Sequence, residues 1–338
     1  MRAGYLWLSG LILTAATFFA VILYGTVDIP ANEVLNTLFG GTATGKYVET
    51  IVLQTRLPMA VAATCCGATL SVAGLMLQTL FHNPLGGPSV LGISSGASFG
   101  VAILTLSAAG TSGLAGETAV AISGALIGGL LSILIIYAFS SIVKSGVTLL
   151  IVGIMIGYLC SSGISLLNYF SPAEEIRNYL VWGLGSFGGL RLTNSVWFCV
   201  LSLISLLPTA LFIKPLNAML LGERYMGSVG YSVKQVRGGI LLFSGLLVAI
   251  PTAFCGPIGF IGLIVPHLCR LLFRSSNHLI LLPGCILFGA FLSLLCAFIS
   301  VVPASDFGVL PINVITPVIG VPVILYLLVK RNHIPYFS

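Results

Sequence analysis

The sequence predicts an all-α membrane protein of about ten transmembrane helices, with both its N- and C-termini on the cytoplasmic side. Three observations predict it. The chain of 338 residues is 57% hydrophobic and 7% charged, which leaves too little polar surface for an ordinary water-facing exterior. Apolar stretches recur along its whole length, most of them near the roughly 20 residues that cross about 30 Å of hydrocarbon. The charges between the stretches sort by side.

The candidate spans run in order over 5–24, 58–81, 90–106, 118–139, 147–167, 195–213, 238–253, 260–273, 279–301 and 312–329. The first reads as a retained helix, because no small-x-small cleavage site follows it before Asp28. The third, seventh and eighth are short. The eighth also carries Pro266 and His267, and such a segment is stable at membrane depth only where other helices cover it. Pro215 is expected to end the sixth span. No connection is long enough to form a second fold, so residues 1–338 read as a single membrane domain whose largest inner connection is 214–237.

With the N-terminus inside, the inner face holds ten basic residues: Arg2, Lys144, Lys214, Arg224, Lys234, Arg237, Arg270, Arg274, Lys330 and Arg331. The outer face holds four, Lys46, Arg56, Arg177 and Arg191, and that bias sets the orientation. Seven of the eight acids fall outside; only Glu223 falls inside. The net charge of +6 therefore reads as topology and contact with anionic lipid, and no nucleic-acid partner is implied.

Several motifs point away from chemistry. The eight cysteines lie mostly within apolar spans, without metal-ligand spacing, and read as free thiols packed as small apolar groups; Cys65 and Cys66 diverge on a helix. Gly40 to Lys46 nearly matches a phosphate-binding loop, but Tyr47 stands where a magnesium-holding hydroxyl is needed. Gly183 to Gly188 matches G-x-G-x-x-G without the strand–turn–helix context a dinucleotide site requires. The four histidines pair with no carboxylate at ligand spacing, and no nucleophile–base set assembles. No catalytic residue and no metal site is expected. The glycines at four-residue spacing (Gly92, Gly96, Gly100; Gly124, Gly128; Gly153, Gly157) predict helix faces that pack closely. The span interiors lack acidic and basic residues, which disfavours an ion-coupled secondary transporter, the alternative reading.

The connection 214–237 predicts two short helices, 216–221 and 223–229, hinged at Gly222 and closed by Gly230. Leu216, Met219 and Leu220 form one apolar patch; Tyr225, Met226 and Val229 form another. Periodicity leaves open whether this is an interfacial anchor or a docking knob for a soluble partner.

The consecutive motifs Arg56-Leu57-Pro58, Gly67-Ala68-Thr69-Leu70, Gly74, Gln78, His82-Asn83-Pro84-Leu85-Gly86-Gly87-Pro88 and Leu91 to Ala97, which includes Gly92 and Gly96, resemble the FecCD family of ABC importer permeases. Gly256 to His267 with Arg270, a stretch that contains Gly259 and Pro266, resembles that family's late motif; Leu310-Pro311-Ile312 and Gly320-Val321-Pro322 resemble its last span. The likeness covers nearly the whole chain. It departs at Met59, where a second arginine is common, and around Ser305–Gly308 and Val309–Asn313.

The resemblance implies a permease of the bacterial cytoplasmic membrane that moves an iron–siderophore, haem or cobalamin inward by alternating access. It implies a second copy of the chain, two cytosolic ATPases and a periplasmic or lipid-anchored binding protein. ATP and magnesium would belong to the ATPases, with no cofactor on this chain. Leu216, Asn217, Met219, Leu220, Gly222, Glu223, Arg224 and Gly230 would form the coupling loop, and Arg56 the docking point for the binding protein. Ser145 and Gly146 would form an inner gate, and 147–167 with 312–329 the conduit walls. Gln78, Asn83, Pro84, Gly92, Gly96, Gly259, Pro266 and His267 would be structural.

Overall fold

The computed structural model describes residues 2–40, 45–84, 86–106, 114–143, 145–302 and 308–329. Leu85, Lys144, Lys330, Arg331, Asp306 and most of the phosphate-loop look-alike therefore lie outside the described residues. The helices are α1 (Arg2–Leu23), α2 (Ala31–Leu38), α3 (Lys46–Ile51), α4 (Leu57–Leu80), α5 (Ile93–Leu106), α6 (Leu114–Ile142), α7 (Gly146–Phe170) and α8 (Ala173–Gly183). They continue with α9 (Leu192–Leu206), α10 (Ile213–Leu220), α11 (Glu223–Ser228), α12 (Val233–Cys255), α13 (Ile261–Phe273), α14 (His278–Val301) and α15 (Ile312–Val329). No strand occurs among the described residues. Seven helical rods are long and apolar enough to cross a membrane, and three shorter apolar helices, α5, α13 and the described part of α15, accompany them. The chain is an all-α, multi-pass membrane protein.

Two rods are longer than the apolar pattern shows. A π-helical turn, Val52–Arg56, joins α3 to α4, so the second span runs unbroken over Tyr47–Leu80. The sixth runs over Leu192–Leu220, with a 3-10 turn at Leu207–Phe212 joining α9 to α10. Pro215 does not end that span, contrary to the sequence expectation. It lies in the first turn of α10, where a missing N–H costs little, and the chain breaks instead at Gly222 (φ +98°). The seventh span is also fuller than expected, at Val233–Cys255.

α4 is the centre of the molecule. It packs against α1, α9, α10, α12, α13 and α14, and 83% of its apolar window is buried, against 17% for α7. α1, α7 and α9 are peripheral. Small residues let the central helices approach. A Cβ built on Gly67 would lie 2.1 Å from the Gly289 carbonyl, and one on Gly96 would meet Gly128 and Ser132. One on Gly92 would lie 2.5 Å from the Gly153 carbonyl, so the four-residue glycine spacing does mark contact faces between α5, α6 and α7.

Pro266 and Gly74 explain one another. A proline at 266 removes the N–H that would bond the carbonyl of Gly262, four residues back. That carbonyl turns toward α4, where a Cβ on Gly74 would lie only 1.7 Å from its oxygen. Only glycine fits there, and its Cα–H gives the freed carbonyl a weak donor. At 13 residues, α13 spans about 20 Å, short of the hydrocarbon thickness, and is covered by α4 and α14.

The cysteines sort between neighbouring helices. Cys65 faces Cys199 and Ser202 of α9, Cys66 faces Cys255 of α12, and Cys269 faces Cys285 of α14. All eight are free thiols. Among the described residues no group of three or more His, Cys, Asp and Glu side chains is placed to hold a metal ion.

Candidate functional site

The connection between the sixth and seventh spans forms a compact knob. α10 ends at Leu220, Gly222 turns the chain at a positive φ, α11 follows, and Gly230 (φ +91°) starts the return to α12. The apolar residues of the knob face two ways. Leu216, Met219 and Met226 are 0%, 1% and 0% exposed and belong to the chain's own core. Leu220 is half-buried. Leu221, Tyr225 and Val229 are 66%, 47% and 53% exposed and form the outward apolar strip. The patch predicted at Leu216, Met219 and Leu220 therefore mounts the knob more than it presents it, and Leu221, absent from the predicted patches, is among its most exposed apolar side chains.

Polar bonds fix the mount. Asn217 Oδ1 accepts from the His278 backbone N–H (2.8 Å) and lies 2.7 Å from His278 Nδ1, while its Nδ2 donates to Asn277 Oδ1 (2.9 Å). Asn277 in turn caps α14 through Leu279 N–H. Because an amide oxygen only accepts, His278 Nδ1 carries a proton; its Nε2 lies 2.9 Å from Thr79 Oγ1, whose hydroxyl also bonds the Leu75 carbonyl at 2.9 Å. His82 Nε2 donates to the Met219 carbonyl at 3.0 Å. Glu223 Oε1 accepts from Arg237 Nη2 at 2.6 Å, and Arg237 Nη1 donates to the Val143 carbonyl. The knob is thus tied to the end of α4, the start of α14 and the start of α12. The exposed charged side chains on and near the knob are Lys214, Arg224, Lys234, Arg274 and the acid Glu223.

Gln78 sits beside this mount. It is fully buried, donates to the Leu263 carbonyl of α13 (3.1 Å) and accepts from Arg270 Nη1 (2.6 Å). Asn83 N–H bonds the Gln78 carbonyl, and Gly86 N–H bonds the Asn83 carbonyl, so the segment through the buried Pro84 folds back on α4. The expected structural role of Gln78 has this content: it locks α4 to α13. His267 is buried within α13, next to Pro266. Gly259 N–H donates to Asn313 Oδ1 (3.2 Å). Ser145 N-caps α7 by accepting from Thr148 N–H, and Gly146 lies against Phe81.

Arg56 requires a correction. The family resemblance puts it at the docking face for a binding protein, but it is 4% exposed. Its guanidinium donates to the carbonyls of Ile22 (3.0 Å) and Leu23 (2.7 Å) and to that of Val27. These carbonyls lie at and just beyond the end of α1, where no intrahelical donor remains, so the arginine caps that helix. Of the four basic residues that the sequence assigns to the outer face, Arg177 and Arg191 are the exposed ones among the described side chains.

Asn313 lies where the sequence departs from the family pattern. Its Nδ2 donates to the Gly183 and Pro257 carbonyls, and its backbone N–H to the Leu184 carbonyl. Ser186 N–H reaches the Cys255 carbonyl. The G-x-G-x-x-G look-alike is thus a latch between α8, α12 and α15. A cavity of about 10 Å³ lies between Pro88, Ser89, Ser94, Gly259, Phe260 and Gly262, with room for about one water.

The comparisons with known proteins agree with this architecture. The chain is 36% identical over 286 residues to the vitamin B12 import system permease protein BtuC of Salmonella typhi, covering 83% of this chain and 84% of that protein. The BtuC of Citrobacter koseri is 36% identical over 288 residues, covering 84% of each. A solved inward-facing structure of a metal-chelate type ABC transporter superposes with a TM-score of 0.81 at 28% identity, over 97% of this chain and 99% of that one. The FecCD transport family model matches residues 12–330, and the chain accordingly belongs to that family, as a permease of the ABC importer type.

Proposed function

We propose that the chain is one of two identical membrane subunits of a bacterial cytoplasmic-membrane importer that carries a bulky metal chelate inward. Corrinoid cargo is the leading reading, with ferric siderophore and haem as members of the same class. The observation that carries the importer reading is the hydrogen-bonded knob, whose outward strip Leu221, Tyr225 and Val229 is apolar, with exposed Lys214, Arg224 and Lys234 near it in the chain. A soluble partner with an apolar groove and an acidic rim fits that face. We assign that partner as the ATPase, which binds ATP and magnesium and acts on the permease through α10 and α11. The knob faces the cytosol, and both termini lie on its side.

On this reading the chelate passes between the two copies. α7 and α15 supply the walls, since Ile151, Met155, Leu159, Val314, Val318 and Leu325 are exposed in the single chain and a second copy would cover them. The inner ends of α7, at Ser145 and Gly146, narrow the path. On the outer side, exposed Arg177 and Glu174 of α8 and Arg191 before α9 offer charges to a binding protein. Three relatives' descriptions bear on cargo: the BtuC proteins are vitamin B12 import permeases, and the structural neighbour is of metal-chelate type.

The experiment is uptake by proteoliposomes holding the permease, its ATPase and its binding protein, with cyanocobalamin, a ferric hydroxamate and haem offered separately. Uptake of cyanocobalamin alone supports the corrinoid reading. Uptake of the ferric hydroxamate or haem in its place replaces it, and uptake of none of the three overturns the chelate class.

A further inference from the structure

We propose that the last turn of α4, Thr79 to His82, is the joint that carries movement of the knob to the inner end of α7, with His82 as its positioning residue. The proposal rests on the reading that α10 and α11 receive the ATPase.

α4 ends in a Schellman motif. Asn83 N–H bonds the Gln78 carbonyl and His82 N–H bonds the Thr79 carbonyl, with His82 at φ +47°. That position favours glycine, because a side chain in the left-handed region crowds the following carbonyl. The sequence places a histidine there. Its Nε2 donates to the Met219 carbonyl of α10, 137 residues away. The position thus combines a costly backbone conformation with a long-range bond, a pairing that points to a positioning role.

The same turn touches three other elements. Thr79 Oγ1 meets His278 Nε2 at the start of α14, and His278 and Asn277 hold Asn217 of α10. Phe81 lies against Gly146, where a Cβ would stand 3.6 Å from its ring, at the first residue of α7. The knob and α7 thus both contact one helical turn. Thr79, His278, Asn217 and Asn277 form one linked chain of hydrogen bonds beside the His82–Met219 bond, so a displacement of α10 reaches the turn through several contacts rather than one.

The test uses the full complex in proteoliposomes, with a nitroxide on Val147→Cys, an exposed position beside Gly146. ATP hydrolysis and the change in the nitroxide spectrum on trapping with ATP and vanadate are measured together. His82→Gly separates a structural role from a coupling role, because glycine relieves the backbone and should leave thermal stability equal or higher. The expected result is wild-type ATPase co-purification and hydrolysis with the spectral change reduced at least about fivefold. His82→Gln, which restores an amide donor toward Met219, should recover much of the change, and Thr79→Val should reduce it as His82→Gly does. An undiminished spectral change in His82→Gly overturns the joint, and so does a loss of hydrolysis in proportion to it. The docking reading is tested apart from these: ATPase that still co-purifies with Leu221→Asp overturns that reading instead.

Discussion

Arg56 shows how one residue's role depends on a fold that its neighbours do not reveal. The Arg-Leu-Pro run marks the entry to α4 correctly, and nothing local says that the guanidinium turns back to carbonyls about thirty residues earlier in the chain (33 for Leu23). Replacing Arg56 with Ala leaves the Ile22, Leu23 and Val27 carbonyls without this donor. At about 1–3 kcal/mol for a buried unsatisfied group, the thermal midpoint of the purified chain should fall by several degrees. Binding-protein affinity should be unchanged in the fraction that remains folded. A stable Arg56→Ala protein with weakened docking would instead place the residue at an interface. Gln78 was legible because its motif neighbours are legible. His278 and Thr79 were not, since a hydrogen bond between residues 199 apart leaves no local pattern.

At the scale of elements, the apolar runs located the spans, because hydropathy reports what a bilayer requires. They failed at the ends. Rods extended by a π turn at Val52–Arg56 and a 3-10 turn at Leu207–Phe212 stay helical where polarity rises or proline appears. Glycine spacing read correctly as contact faces, and it yields a sharp contrast. Gly74→Ala must push α4 from α13, since its Cβ would lie 1.7 Å from the Gly262 oxygen, whereas a Cβ on Gly183 meets nothing within 4 Å. Gly74→Ala should cost about 1–3 kcal/mol or more by overpacking, and Gly183→Ala less than about 1 kcal/mol. Parallel melting curves in detergent check this; equal curves would show that the two helices yield easily. The periodicity of the knob found its two pieces and its hinge at Gly222, and left open what its apolar patches meet. Burial by α4 and α14, rather than amphipathicity, decides which side of so short a helix is free.

At the scale of the whole molecule, the family was legible from its long motifs, and the comparisons support it over residues 12–330. Orientation rests on the sorting of charge, which predicts that a reporter fused after Ser338 is active in the cytosol and silent in the periplasm; periplasmic activity would invert the account. Cargo was not legible, because the faces of α7 and α15 proposed as walls are apolar, and neither names a ligand. The knob carries the central claim, that this permease works through a partner ATPase. The most direct measurement is ATP-driven uptake by the reconstituted complex, compared between the wild-type chain and Tyr225→Asp, which puts a carboxylate on the exposed strip. The account predicts that wild-type uptake requires ATP on the knob's side of the membrane. It also predicts that Tyr225→Asp loses ATPase co-purification and at least about tenfold of uptake, with membrane insertion intact. Uptake that persists in Tyr225→Asp, or that runs on an ion gradient without ATP, would contradict it.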